Sequence, residues 1–126
     1  LHSTSRRQRQ MCIRDRYFGK SLDGFTPIGP CIVTADAFAD YPPRLGIRSF
    51  VNGEKRQDSN TALQIFDIDH VIAELSQGMT LKAGTIIATG TPAGVGMGMD
   101  PPQFLKPGDV VRCEIDGIGT LTNPVK

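Results

Sequence analysis

The sequence has no tryptophan, only two histidines and three cysteines, and no apolar run near the roughly 20 residues that cross a bilayer. Cys12, Cys31 and Cys113 lie far apart and form no C-x-x-C pair, which argues against a disulfide framework and a structural zinc site. We expect Cys31 and Cys113 to be buried small hydrophobes, because nothing nearby would activate a thiolate. His2 and His70 are too few for a histidine-rich metal centre. These absences predict a protein of the reducing cytoplasm without a membrane partner.

Charge is unevenly distributed along the 126 residues, whose formal net charge is +1. Residues 1–16 hold five arginines and one aspartate, which leaves nine basic and twelve acidic side chains for residues 17–126. A nucleic-acid surface needs basic residues clustered on the fold itself, so no nucleic-acid partner is expected. The length suits one domain or a piece of one.

The basic start differs in kind from the rest of the chain. Met11-Cys12-Ile13-Arg14-Asp15-Arg16 resembles the translated end of a transposase-type sequencing adapter, and no apolar segment of a signal peptide is present. We interpret residues 1–16 as a non-native or disordered leader, with an ordinary basic arm or interdomain loop as the alternative. Residues 17–126 are the expected structured body.

Two β-hairpins are predicted from their turns. Asn52-Gly53 separates residues 47–51 from residues 54–57, and Asn-Gly tolerates the positive φ angles of a type I′ turn. Asp116-Gly117 separates residues 110–115 from residues 118–121 in the same way. Both pairs of strands should be antiparallel.

A helix and a further strand are predicted between the hairpins. Asp67 can cap a helix that ends at Gly78 and packs one apolar stripe on the sheet. The stripe consists of Ile68, Val71, Ile72 and Leu75. Thr85-Ile86-Ile87-Ala88-Thr89 lacks polar alternation, which is typical of a strand buried on both faces. Strands without repeated helices favour a mainly β (α+β) fold, a mixed β-roll or barrel with one or two short helices, over a doubly wound sheet.

The glycine-rich segment at residues 90–98 does not fit a nucleotide-binding motif. Gly19-Lys20, elsewhere in the chain, is not a phosphate loop, because that motif needs a glycine five residues earlier and Arg14 stands there. Within residues 90–98, no G-x-G-x-x-G frame that begins on a glycine also ends on one. The glycines of this segment would instead let backbone N–H groups and the Thr91 hydroxyl approach an anionic oxygen. A long surface loop is the alternative.

Two acidic groups invite a functional interpretation but have structural ones. Asp67, Asp69 and His70 share one helical turn, where acids cap the helix and such short side chains cannot converge on one ion. Glu114 and Asp116 would share a strand face beside a turn, which favours a solvated hairpin over an acid pair.

A series of short segments runs in order through residues 19–125. They are Gly19-Lys20-Ser21-Leu22-Asp23-Gly24-Phe25, Pro27-Ile28-Gly29-Pro30, Val51-Asn52-Gly53-Glu54, Arg56-Gln57-Asp58-Ser59-Asn60-Thr61, Ile65-Phe66, Met79-Thr80-Leu81, Ile87-Ala88-Thr89-Gly90-Thr91-Pro92, Gly94-Val95-Gly96, Gly108-Asp109-Val110-Val111, Glu114-Ile115 and Gly117-Ile118-Gly119-Thr120-Leu121-Thr122-Asn123. Together they resemble the C-terminal half of the fumarylacetoacetate hydrolase family. That family includes acylpyruvate hydrolases, oxaloacetate decarboxylases and hydroxy-heptadiene-dioate isomerases. The resemblance implies an incomplete form of the family's β-roll and a homodimer.

The resemblance also implies roles for individual residues. Lys20 resembles the lysine that faces the substrate carbonyl, where an ammonium suits developing negative charge. Thr91, with Gly90 beside it, resembles the threonine that holds the substrate carboxylate. The family binds Mg²⁺ or Mn²⁺ through a Glu-x-Glu pair and a later aspartate. The position that matches this aspartate is His2, or Ser3 in a second alignment, and neither residue supplies a carboxylate.

The resemblance therefore implies a piece of a divalent-metal-dependent enzyme that acts on small oxo or dioxo acids. No metal is expected to bind this stretch alone, which should be inactive by itself. Hydrolysis of a C–C bond, isomerisation and decarboxylation through an enolate all remain open. The alternative is a catalytically inactive β domain that serves only in dimerisation or ligand binding.

Overall fold

The computed structural model describes residues 23–126. Within this range the strands are β1 (Gly46–Val51), β2 (Glu54–Asn60), β3 (Val110–Ile115) and β4 (Gly119–Pro124). They form one antiparallel sheet in the order β2-β1-β3-β4. The helix α1 (Ile68–Gly78) lies in the long connection from β2 to β3. Short 3-10 turns occupy Ala35–Ala37, Thr61–Leu63 and Gly96–Gly98. The prediction of a mainly β fold with a short helix is confirmed, and the sheet is open.

The first hairpin closes through the predicted Asn-Gly turn. Asn52 and Gly53 have φ angles of 51° and 85°, as a type I′ turn requires. The pairing changes register after Ser49, which pairs with Gln57, while Phe50 pairs with Lys55. Arg56 is thus the extra residue of a β-bulge, a feature that bends a strand and re-aims its side chains.

The second hairpin differs from its prediction by one residue. Ile115 pairs with Gly119, so the turn contains three residues instead of two. Gly117 has a φ of 77°, and the N–H of Ile118 donates to the carbonyl of Ile115 over 3.1 Å. A positive φ at the third position of such a turn is typical of glycine.

The helix forms where the sequence predicts it. The side chain of Asp67 accepts a hydrogen bond from the N–H of His70 over 2.7 Å and caps α1. The expected packing of its apolar stripe on the sheet is not found, because no residue of α1 is buried and Ile72 is 42% exposed. Local capping therefore defines the helix, while its apolar face is left partly open.

The predicted buried strand at residues 85–89 is wrong. Thr85 instead closes a turn, since its N–H donates to the carbonyl of Lys82 over 3.0 Å. The run makes no ladder with another strand within the described residues, and Ile86 is 69% exposed. An apolar run becomes a strand only where a neighbour supplies its hydrogen bonds.

Apolar surface is widely exposed in this part of the protein. Among residues 23–126 no side chain is fully buried, and Ile65 is 91% exposed. The prediction that Cys31 and Cys113 are buried is wrong, because both are exposed. Cys113 stays accessible because an open cavity lies over its face of the sheet. In the described range no helix has the length and apolarity of a membrane span.

Candidate functional site

An open cavity of about 740 Å³ lies over one face of the sheet. Ser49 of β1, Gln57 of β2 and Cys113 of β3 stand side by side on this face, because Ser49 pairs with both of the others. The segment from Gly94 to Lys106 forms the opposite wall. The cavity is lined mostly by apolar groups with a few polar ones, which is usual for a small-molecule site.

Gln57 links the sheet to the glycine-rich segment. The Ser49 hydroxyl donates to Gln57 Oε1 over 2.8 Å. Gln57 Nε2 donates to Thr91 Oγ1 and to the Pro92 carbonyl, each over 2.8 Å. The amide thus uses both of its hydrogens to hold the Thr91-Pro92 peptide beside the cavity wall.

Gly90 and Thr91 present open polar groups next to this link. Gly90 has a φ of 110°, and a Cβ atom added there would meet nothing within 4 Å. Thr91 is exposed, so its hydroxyl can reach a ligand. A glycine with free space above it allows close approach to the backbone. The two residues that the sequence proposed for a carboxylate are therefore adjacent and accessible.

Gly94 secures the segment against β2. A Cβ atom at Gly94 would lie 2.1 Å from the carbonyl oxygen of Arg56, and its φ is 103°. Gly96 packs just as tightly against the backbone of Gln103, because a Cβ at Gly96 would lie 1.8 Å from the Gln103 carbonyl oxygen. Both positions exclude a side chain, so the glycines serve close packing of backbone on backbone.

Arg56 and Lys106 are the basic residues that line the cavity, and Arg56 is the more enclosed by its contacts. Its side chain is 17% exposed, and Nη2 lies 3.1 Å from Glu54 Oε2. Nη1 contacts Met99 Sδ over 3.0 Å and also Gln103 Oε1. Nε is buried and has no hydrogen-bond partner within the described residues. The guanidinium thus joins the bulge of β2 to the cavity wall.

Cys113 lies in the floor of the cavity. Although the residue is exposed through the open mouth, partial burial raises the pKa of its thiol. A raised pKa keeps a thiol protonated and unreactive at neutral pH. Cys113 is therefore a lining group whose thiol favours the protonated form.

The acidic groups weighed from the sequence have structural roles. Asp67 caps α1, and Asp69 accepts a hydrogen bond from the Tyr41 hydroxyl over 3.1 Å. His70 stacks on the ring of Phe66, with the centroids 4.8 Å apart.

Glu114 and Asp116, the second acidic group, form ion pairs with different arginines. Asp116 pairs with Arg48, and Glu114 Oε1 lies 3.2 Å from Arg112 Nε. Glu114 and Asp116 therefore form no acid pair, and the structural interpretation of both acidic groups is confirmed.

Lys20, His2 and Ser3 lie outside the described residues. Within residues 23–126, no three His, Cys, Asp or Glu side chains are grouped so that they could hold a metal. The described residues thus do not fit a Mg²⁺ or Mn²⁺ site by themselves.

Sequence reasoning missed Gln57. The residue stands in one of the matching segments, but its contact with Thr91 spans 34 positions and depends on the bulge at Arg56. The signal that could have found it is the pairing of Gln57 with the small residue Ser49 across the hairpin. That register is known only once the hairpin is seen.

The comparison with known families decides the relationship. Residues 2–126 match the family described as fumarylacetoacetate (FAA) hydrolase C-terminal. The chain belongs to the fumarylacetoacetate hydrolase family. The predicted resemblance is confirmed, and the open sheet with one helix agrees with the solved members.

Individual relatives support the same assignment. Oxaloacetate tautomerase fahd2, mitochondrial, of Xenopus laevis is 48% identical over 126 residues, which are 98% of this chain and 39% of that protein. A fumarylacetoacetate hydrolase of Exiguobacterium antarcticum is 51% identical with a TM-score of 0.86, over 97% of this chain and 43% of that one. A maleylpyruvate hydrolase of Sphingobium sp. SYK-6, in complex with manganese(II) and pyruvate, is 45% identical with a TM-score of 0.76, over 89% and 39%.

The chain spans about two fifths of the length of these members of the fumarylacetoacetate hydrolase family. The family contains hydrolases and a tautomerase, so the chain belongs to an enzyme family of this kind.

Proposed function

We propose that the whole protein containing this chain acts on small oxo or dioxo acids. The reaction is hydrolysis of a C–C bond, isomerisation or decarboxylation, each of which passes through an enolate. The names of the relatives, a tautomerase of oxaloacetate and a hydrolase of maleylpyruvate, support this substrate class. We further propose a cytoplasmic homodimer that uses Mg²⁺ or Mn²⁺, with metal ligands outside residues 23–126. A bound divalent cation would supply a Lewis acid for the oxo group.

The observation that carries the proposal is the accessible pair Gly90 and Thr91. Free space above Gly90 lets an anionic oxygen approach the backbone, and the exposed Thr91 hydroxyl can donate a hydrogen bond to it. Gln57, which is hydrogen-bonded to Thr91, also lines the cavity, and the cavity is large enough for a small oxo acid. In this proposal Gly90 and Thr91 bind and orient the carboxylate.

Lys20 is the proposed catalytic residue. Its ammonium would face the substrate carbonyl and stabilise the negative charge that develops on the enolate oxygen. A fixed positive group lowers the barrier because the charge it meets is larger in the transition state than in the substrate. Replacement by methionine keeps most of the side-chain volume and removes that charge.

The test assays the whole protein with an acylpyruvate, oxaloacetate and a dienedioate, with and without Mg²⁺ or Mn²⁺. We expect turnover of at least one of them. Lys20→Met should lower kcat about a hundredfold or more, and Thr91→Val should raise KM about tenfold. Thr91→Ser, which keeps the hydroxyl, is the matched control. If no substrate is turned over and pyruvate does not bind, the proposal is wrong.

A non-catalytic β domain is the second candidate, and the exposed apolar surface favours it. Ile65 and Ile32 are 91% and 82% exposed, which suits a face covered by another chain or by other parts of the same protein. Size-exclusion chromatography with light scattering would reveal a dimer in either case. The Lys20→Met assay separates the two candidates, because a docking module has no turnover to lose.

A further inference from the structure

The hydrogen bonds around Gln57 have a direction, and the direction can be assigned. The Pro92 carbonyl oxygen can only accept, so the side-chain atom 2.8 Å away must be the nitrogen Nε2. Gln57 Oε1 then faces the Ser49 hydroxyl, which can donate to it over 2.8 Å. The Pro92 contact fixes the amide, because turning it over would place Oε1 against a carbonyl oxygen and lose that hydrogen bond.

This assignment determines what Thr91 does with its own hydrogen. Gln57 Nε2 donates to Thr91 Oγ1, so the hydroxyl oxygen is the acceptor in that contact. A hydroxyl has one hydrogen and two lone pairs. The hydrogen of Thr91 is not used by Gln57 and can be donated elsewhere, and the hydroxyl is exposed.

We propose that Gln57 is a positioning residue that makes Thr91 a hydrogen-bond donor to the carboxylate of the substrate. The proposal rests on the function proposed above, and it adds the residue that sets the polarity of the carboxylate site. A carboxylate has only acceptor atoms, so a threonine whose hydrogen is spent on a protein carbonyl would not bind it. Gln57 favours the donor role, because it bonds Thr91 Oγ1 as an acceptor and does not use the hydroxyl hydrogen.

Two substitutions separate polarity from packing. Gln57→Met keeps the length of the side chain and removes the donor, so KM for the oxo acid should rise about tenfold. Gln57→Glu keeps the shape but presents carboxylate oxygens to Thr91 and Pro92. Thr91 would then donate to residue 57, and a second negative charge would face the substrate. KM should rise about a hundredfold, and kcat should change much less.

The glutamate variant also provides a pH signature. A protonated carboxyl group at position 57 again has a donor that can face Thr91, so the lost affinity should return as pH falls from about 6 to about 4, through the ordinary glutamate pKa of about 4.3. The unsubstituted protein and Gln57→Met should lack this recovery. The recovery also shows that the variant is folded, since an unfolded protein would regain nothing.

Gln64→Met is the matched control. Gln64 Nε2 donates to Thr89 Oγ1 over 3.1 Å, which is the same kind of contact two residues before Thr91, and Gln64 is exposed. Its replacement should leave KM within about twofold. A double-mutant cycle completes the test, because Gln57→Met should add nothing once Thr91→Val is present.

The outcomes distinguish this proposal from the proposed function. Turnover by the unsubstituted protein, combined with an unchanged KM in both Gln57 variants, would overturn the role of Gln57 and leave the enzyme assignment intact. An equal effect of Gln57→Glu and Gln57→Met without recovery at low pH would also overturn it. Absence of turnover and of pyruvate binding in the unsubstituted protein would instead overturn the proposed function, and this inference with it.

Discussion

Arg48 of β1 and Asp116 of the second hairpin turn are joined by two hydrogen bonds of 2.8 and 3.1 Å. The Arg48 guanidinium holds the pKa of the Asp116 carboxyl below its usual range. Arg48 also lies 3.6 Å from Asp58 on the neighbouring strand. One arginine thus ties both hairpins together, because Asp116 belongs to the second and Asp58 to the first.

The Arg48–Asp116 ion pair predicts that the fold loses stability in acid. A carboxyl whose pKa is lower in the folded state stabilises the fold above its unfolded pKa of about 3.9, and this stabilisation is lost as pH falls through the folded value. We expect the urea midpoint of the whole protein to fall less steeply below about pH 4 in Asp116→Asn than in the unsubstituted protein. Asp40→Asn is the control, an exposed aspartate without an ion pair in the described range. Identical acid profiles for Asp116→Asn and the unsubstituted protein would contradict the prediction.

Asn52 should matter through its side chain as well as its backbone. Its Nδ2 donates to Asp109 Oδ1 over 2.9 Å, and its Oδ1 accepts from the N–H of Val110 over 2.8 Å. Asn52→Gly keeps the positive φ and loses these contacts, at a cost of about 1 kcal/mol. Asn52→Ala loses these contacts and also strains the positive φ, so it should cost about 2 kcal/mol. Urea unfolding measures the two values, and a smaller loss for alanine than for glycine would refute this account.

Gly94 should tolerate no side chain, unlike a glycine with a similar backbone. Gly84 has a φ of 84° and open space around it, whereas a Cβ at Gly94 would lie 2.1 Å from the Arg56 carbonyl. Gly84→Ala should therefore cost about 1 kcal/mol from backbone strain alone. Gly94→Ala should cost about 3 kcal/mol or more, because strain and overlap add. Comparable urea midpoints for the two variants would show that the segment can move away from β2.

The 126-residue chain alone should behave as a loosely packed state. No side chain among residues 23–126 is fully buried, so little apolar burial offsets the conformational entropy of ordering the chain. We expect broad, non-cooperative thermal unfolding and binding of the dye ANS. The whole protein is the comparison, with a sharp transition and little dye binding. Cooperative unfolding of the 126 residues without dye binding would disprove this expectation.

The parts of the fold that local chemistry determines were predictable. The Asn52-Gly53 turn and the Asp67 cap need only a few neighbouring residues, and both occur where the sequence places them. The strand at residues 85–89 and the burial of Cys113 were mispredicted, because both depend on a covering layer that local sequence does not supply.

The candidate site was predictable only in part. The family match pointed to Thr91 and Gly90. The structure finds both exposed, with Thr91 hydrogen-bonded to Gln57, which lines the cavity. Gln57 could not be found, because the bulge that aims it at Thr91 shifts the register by one residue. The role of Lys20 stays a prediction, because that residue lies outside the described range.

The Asn52 side chain also implies an order of assembly. The turn that Asn52 forms joins strands adjacent in sequence, whereas its bonds to Asp109 and Val110 span 57 and 58 positions. Loop-closure entropy favours the short connection, so we expect β1 and β2 to pair before β3 joins them. The backbone angle that closes their turn also points the amide toward the start of β3. Once the first hairpin has formed, the Asn52 side chain can bond only one part of the chain, so β3 pairs with β1 in a single register.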